Sequence, residues 1–65
     1  MSMQLTVEGM SCEHCEQTVV EALESVEGVT HARADRETDS ATVEGDAEPT
    51  ALIEAVTDAG YSASA

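Results

Sequence analysis

Met3-Gln4-Leu5-Thr6-Val7-Glu8-Gly9-Met10-Ser11-Cys12-Glu13-His14-Cys15-Glu16-Gln17-Thr18-Val19 carries two hydrophobic periods joined at a glycine. Met3, Leu5 and Val7 alternate with Gln4, Thr6 and Glu8, the two-residue period of a half-buried strand. Gly9 breaks it. From Cys12 or Glu13 to Val26 the apolar positions return at three- and four-residue steps, at Cys15, Val19, Ala22, Leu23 and Val26. Glu16, Glu21 and Glu24 fill the positions between them, so this stretch reads as an amphipathic helix. Ser11 is placed to cap it, and Glu13 and Glu16 stand where the positive end of the helix dipole favours acids. Gly28 supplies the stop signal.

Outward from that unit, Val29, Ala32 and Ala34 suggest a second strand with an irregularity after Val29. The uniformly polar Asp35 to Ser40 reads as a turn. Ala41 and Val43 alternate with Thr42 and Glu44 in a third strand, which Gly45-Asp46 ends. Pro49 fits the first turn of a second helix, with Leu52, Ile53, Val56 and Ala59 as its apolar stripe and Gly60 as its close. Tyr61 and Ala63 leave room for a very short fourth strand. This order predicts an α+β ferredoxin-like βαββαβ sandwich, a four-stranded antiparallel sheet with two helices on one face. No linker or repeat interrupts it, so residues 1–65 are expected to form a single domain.

Composition narrows the function. Fourteen acids against two Arg and no Lys give a net charge of −12, which argues against nucleic acid and anionic membrane surfaces as partners. The acids are spread among recurring apolar positions, unlike a disordered acidic segment. A solvated acidic face does not account for the absence of Lys. Adaptation to a high-salt cytoplasm does, because screening there weakens self-repulsion. Residues 1–6 carry no basic stretch and no long apolar run, so neither a signal peptide nor membrane insertion is expected and the cytoplasm is the default location. Two cysteines in that compartment stay reduced, which favours a thiol site over a structural disulfide.

Cys12 and Cys15 are three residues apart at a strand-to-helix junction, a spacing that brings Cβ atoms to about 5–6 Å. Two thiolates can converge there on one ion. Soft sulfur with nothing else suits Cu(I), whereas structural zinc wants four protein ligands and this chain offers two thiols and two histidines. The helix N-terminus lowers a thiol pKa, most directly at Cys15, and Glu13 and Glu16 oppose that.

The run from Gly9 to Cys15, followed by Val19, Leu23, Gly28-Val29, Pro49 and Asp58-Ala59-Gly60-Tyr61, resembles the heavy-metal-associated domain family. The likeness extends from Leu5 to about Tyr61. It implies the split βαβ fold and a carrier of Cu(I), or in some members of zinc, cadmium or mercury. Copper chaperones of the family often have His just before the second Cys, as His14 is here, and Tyr where Tyr61 stands, in the loop facing the metal. Zinc-directed members tend to have Asp just before the first Cys, where this chain has Ser11. The resemblance therefore implies a soluble Cu(I) chaperone that passes its ion to a copper-transporting P-type ATPase or another copper-accepting protein. The departures, Ala32 and Ala34 in place of larger aliphatics and a C-terminus that stops early, bear on the core rather than on the site.

Cys12 and Cys15 are the expected ligands. Met10, Ser11, Glu13, His14 and Tyr61 are expected around them, as supporting residues or partner contacts. Met10 also reads as an inward anchor for the loop, while Tyr61 can cap the thin core and bring its hydroxyl to the metal loop. His31, Arg33 and Arg36 read as surface residues. A metal-bridged homodimer is compatible with two thiolates that leave the ion open to a third ligand. No acid–base pair marks an enzyme. The alternatives are a thiol-disulfide redox protein, although such folds need roughly 100 residues, and a regulatory module of a transporting ATPase. An opening Met favours a free-standing protein.

Overall fold

The computed structural model of the chain describes residues 2–64. Its elements run β1 (Ser2–Glu8), α1 (Glu13–Glu24), β2 (Val29–Asp35), β3 (Ser40–Gly45), α2 (Pro49–Asp58) and β4 (Ser62–Ser64). The strands form one antiparallel sheet in the order β2-β3-β1-β4, which is the ferredoxin-like arrangement the sequence predicts.

Register follows from the alternation. Met3 pairs with Val43 and Leu5 with Ala41 across β1 and β3, while Ala32 meets Val43 and Ala34 meets Ala41 across β2 and β3. All of these side chains fall on one face, because a strand turns successive residues to opposite sides. The other face carries Gln4, Thr42 and Arg33 in one row. The two helices cover the apolar face. Val19 and Leu23 from α1 and Leu52 and Val56 from α2 have no exposed surface and close over Leu5, Val7, Ala32, Ala41 and Val43. No helix among the described residues is long and apolar enough to cross a membrane.

The irregularity expected after Val29 is present. Val29 pairs with Gly45 and His31 with Glu44, leaving Thr30 as the extra residue of a β-bulge. Its hydroxyl donates to the Glu44 carbonyl at 3.1 Å. A Cβ on Gly45 would collide with the Gly28 carbonyl oxygen, so this crossing requires glycine.

Two readings of α1 are corrected. The helix stops at Glu24, not Val26: the N–H groups of Ser25 and Val26 turn back to the Glu21 and Leu23 carbonyls. Val26 keeps the apolar period because it still packs against the core from the following turn. Gly28 is then four residues beyond the last helical residue, and its carbonyl instead accepts the Asp46 N–H at 2.8 Å, tying the loop to the end of β3.

Candidate metal site

Cys12 and Cys15 meet at one end of the sheet, where β1 gives way to α1. The helix cap is Cys12 itself, in extended conformation at φ −155° and ψ 172°, with its carbonyl accepting the N–H groups of Cys15 and Glu16. Ser11 is not the cap. Its hydroxyl lies 3.8 Å from the Cys15 sulfur and makes no capping bond, since the helix begins one residue later than a Ser11 cap would require. The two sulfurs are 3.5 Å apart and both thiols are free, Cys12 exposed and Cys15 half-buried. Thiolates about 2.3 Å from one ion can stand at most about 4.6 Å apart, so a pair at this separation fits a shared ion.

Tyr61 is delivered to the same place by the end of α2. The Gly60 N–H bonds to the Thr57 carbonyl at 3.0 Å and the Tyr61 N–H to the Val56 carbonyl at 3.2 Å, with Gly60 left-handed at φ +99°. These are the paired bonds of a Schellman motif. They swing the chain back so that the Tyr61 ring packs on the core, with its hydroxyl near enough to Cys15 to act on that thiol.

That hydroxyl is the largest influence on the Cys15 thiol, which falls from an ordinary 9.0 to about 6. The Ser11 main-chain N–H, the Cys12 thiol and the Ser11 hydroxyl add to the effect, and partial desolvation opposes it. Each donor favours the thiolate, the form that binds metal. The Tyr61 hydroxyl is pushed up in turn by the same hydrogen bond. Tyr61→Phe should therefore move the Cys15 titration upward from about 6, toward 9.0, in an ultraviolet thiolate titration. An unchanged midpoint would show that the hydroxyl contributes nothing.

Met10 is 7% exposed and sits in the core cluster. It anchors the loop, and its burial removes it from the partner-contact residues. Glu13 and His14 are exposed beside the thiols. The His14 carbonyl accepts the Thr18 hydroxyl at 3.0 Å. His31 lies on β2 opposite Glu44, away from the site. Among the described residues, no group of three His, Cys, Asp or Glu side chains gathers as a metal cluster. One residue near the site was not legible in the sequence. Arg36, read as a plain surface charge, reaches Glu16, the neighbour of Cys15. Twenty residues separate the two, and no periodicity links them.

The profile of the heavy-metal-associated domain matches residues 4–62. The chain belongs to the heavy-metal-associated domain family. Within that family it is 40% identical over 60 residues to the copper chaperone CopZ of Staphylococcus aureus (strain bovine RF122 / ET3-1), covering 88% of each chain. Its fold superposes on the structure of a CopZ metallochaperone with a TM-score of 0.93, at 34% identity over 98% of this chain and 100% of that one. A copper binding domain from HMA7, a P-type ATPase, gives the same score at 32% identity, covering 97% and 89%.

Proposed function

We propose that the chain is a Cu(I) chaperone, one heavy-metal-associated domain over residues 1–65. Cys12 and Cys15 hold a single ion and pass it to a copper-accepting protein such as a copper-transporting P-type ATPase. The observation that carries this reading is the pair of free thiols 3.5 Å apart, at an accessible end of the fold. Its likeness to CopZ supports copper as the cargo. Two soft sulfurs satisfy Cu(I), whereas zinc would need more protein ligands. Such a carrier needs no catalytic group. Ser11, Glu13, His14 and Tyr61 surround the thiols and form the partner-contact patch, which is small and suits a transient complex. An ion held by two thiolates can also accept a ligand from a second copy, giving a metal-bridged homodimer.

Anaerobic titration with Cu(I), Ag(I) and Zn(II) tests the proposal. One Cu(I) per chain is expected, with Ag(I) following it and Zn(II) far weaker. Zinc binding as tight as Cu(I) in direct competition would overturn the choice of metal.

The reading places the protein in a reducing, salt-rich cytoplasm. A net charge of −12 on 65 residues repels itself strongly at low ionic strength. At about 1 M salt the Debye length falls to about 3 Å and the repulsion is screened. The metal-free protein should therefore lose structure as KCl is lowered from multimolar to millimolar, as followed by circular dichroism. Equal stability at both ends of the range would remove the case for salt adaptation.

A further inference from the structure

Glu16 and Arg36 form the one ion pair among the described residues. The contact has two prongs. The Arg36 main-chain N–H donates to Oε2 of Glu16 at 2.7 Å, and its guanidinium Nη1 donates to Oε1 at 3.2 Å. Both carboxylate oxygens are thus held by the turn between β2 and β3. The ion pair alone adds little to stability, about 0–1 kcal/mol for side chains that are 41% and 21% exposed.

Its place in the chain matters more: Glu16 directly follows Cys15 in the first turn of α1, the turn that Cys12 caps. Released from the β2–β3 turn, its carboxylate could approach an ion held by the two sulfurs. An oxygen ligand there would favour zinc-type cations, which take mixed sulfur and oxygen sets and want four ligands. It would do little for Cu(I), which prefers soft sulfur.

We propose that Arg36 and its turn are a metal-selectivity device, holding the Glu16 carboxylate off the thiolate pair and denying zinc-type cations a third protein ligand. The turn is braced for this. The Val7 N–H donates to the Asp39 carbonyl at 2.8 Å, fixing the turn to β1 just before the metal loop. The Glu37 N–H donates to Oδ1 of Asp35 at 2.9 Å, and the Thr38 and Ser40 hydroxyls lie 2.6 Å apart. In a chain with 14 acids and two Arg, one of the two is committed to the carboxylate beside Cys15.

The inference rests on Cys12 and Cys15 as the ligands, which wild-type Cu(I) binding tests separately. Arg36→Glu would repel Glu16 from the turn. Arg33→Glu, on the open face of the sheet, makes the same change in net charge without touching Glu16. Zn(II) affinity is measured by competition with a chromophoric chelator, and Co(II) serves as a spectroscopic probe of ligand number. Arg36→Glu should raise Zn(II) affinity about tenfold or more, intensify the Co(II) d–d bands, and leave Cu(I) affinity within about threefold. Arg33→Glu should change neither metal. Adding Glu16→Gln to Arg36→Glu should restore wild-type zinc binding. If Arg36→Glu does not fold, Arg36→Gln takes its place and is compared with Arg33→Gln, which makes the same change in net charge. A zinc gain no larger than that of Arg33→Glu overturns the proposal, and so does a gain that survives Glu16→Gln. Failure of the wild-type chain to bind Cu(I) overturns the chaperone reading instead, whatever zinc does.

Discussion

Cys15→Ser is expected to lower Cu(I) affinity by many orders of magnitude, while leaving the circular dichroism of the metal-free protein close to wild type. The sulfur it removes is the one whose thiol lies at about 6, ionised at neutral pH by donors already in place. A serine hydroxyl at the same position stays protonated and is a hard, weak ligand for a soft ion. Each factor of ten in affinity is about 1.4 kcal/mol, so the loss of one of two thiolates from the ion dominates every neighbouring effect. Acid should act in the same direction. Below about pH 6 the Cys15 thiolate takes up a proton that metal must displace, so affinity falls as pH drops. Tight Cu(I) binding retained by the Cys12→Ser, Cys15→Ser double variant would end the assignment of these residues.

The second large effect lies in the core. Leu23 has no exposed surface, and it sits where α1 meets the sheet among residues that are mostly Val and Ala. Leu23→Ala removes buried methyl groups that small neighbours cannot replace, at a cost of about 2–5 kcal/mol. At roughly 0.05–0.15 kcal/mol per residue, a 65-residue domain has about 3–10 kcal/mol in total. The variant should thus lose a large share of its stability, about 2–5 kcal/mol, even in concentrated KCl. Thermal melts of the metal-free protein would show it. A shift of only a few degrees would mean that the core closes around the gap.

The sequence carried the sheet and helix pattern because burial here follows simple periods. Leu5, Val7, Ala41 and Val43 are buried at every second position, and Leu52 and Val56 at a four-residue step. Even the β-bulge at Thr30 left a trace, as a break in the alternation after Val29. Misreadings arose where two structures share one pattern. Val26 continues the helical spacing but reaches the core from a turn, so the spacing alone could not place the end of α1. Ser11 is a good capping residue, yet the extended residue that starts the helix is Cys12. In the site, the CxxC spacing placed the two sulfurs together. The role of Tyr61 came through family resemblance, and its geometry depends on how α2 ends, far along the chain from Cys15. The Glu16–Arg36 contact was illegible because it is a tertiary pairing between exposed charges.

The Schellman turn that brings Tyr61 to Cys15 has a consequence for the newborn chain. In synthesis from the N-terminus both thiols are made before Tyr61, and α2 and β4 are the last of the described elements to be made. Until then the strongest donor to Cys15 is missing, and its thiol lacks the acidity of the finished site. The acidity of Cys15 is therefore tied to the folded end of α2, and a copy cut short of Tyr61 should show a Cys15 thiol nearer its ordinary 9.0.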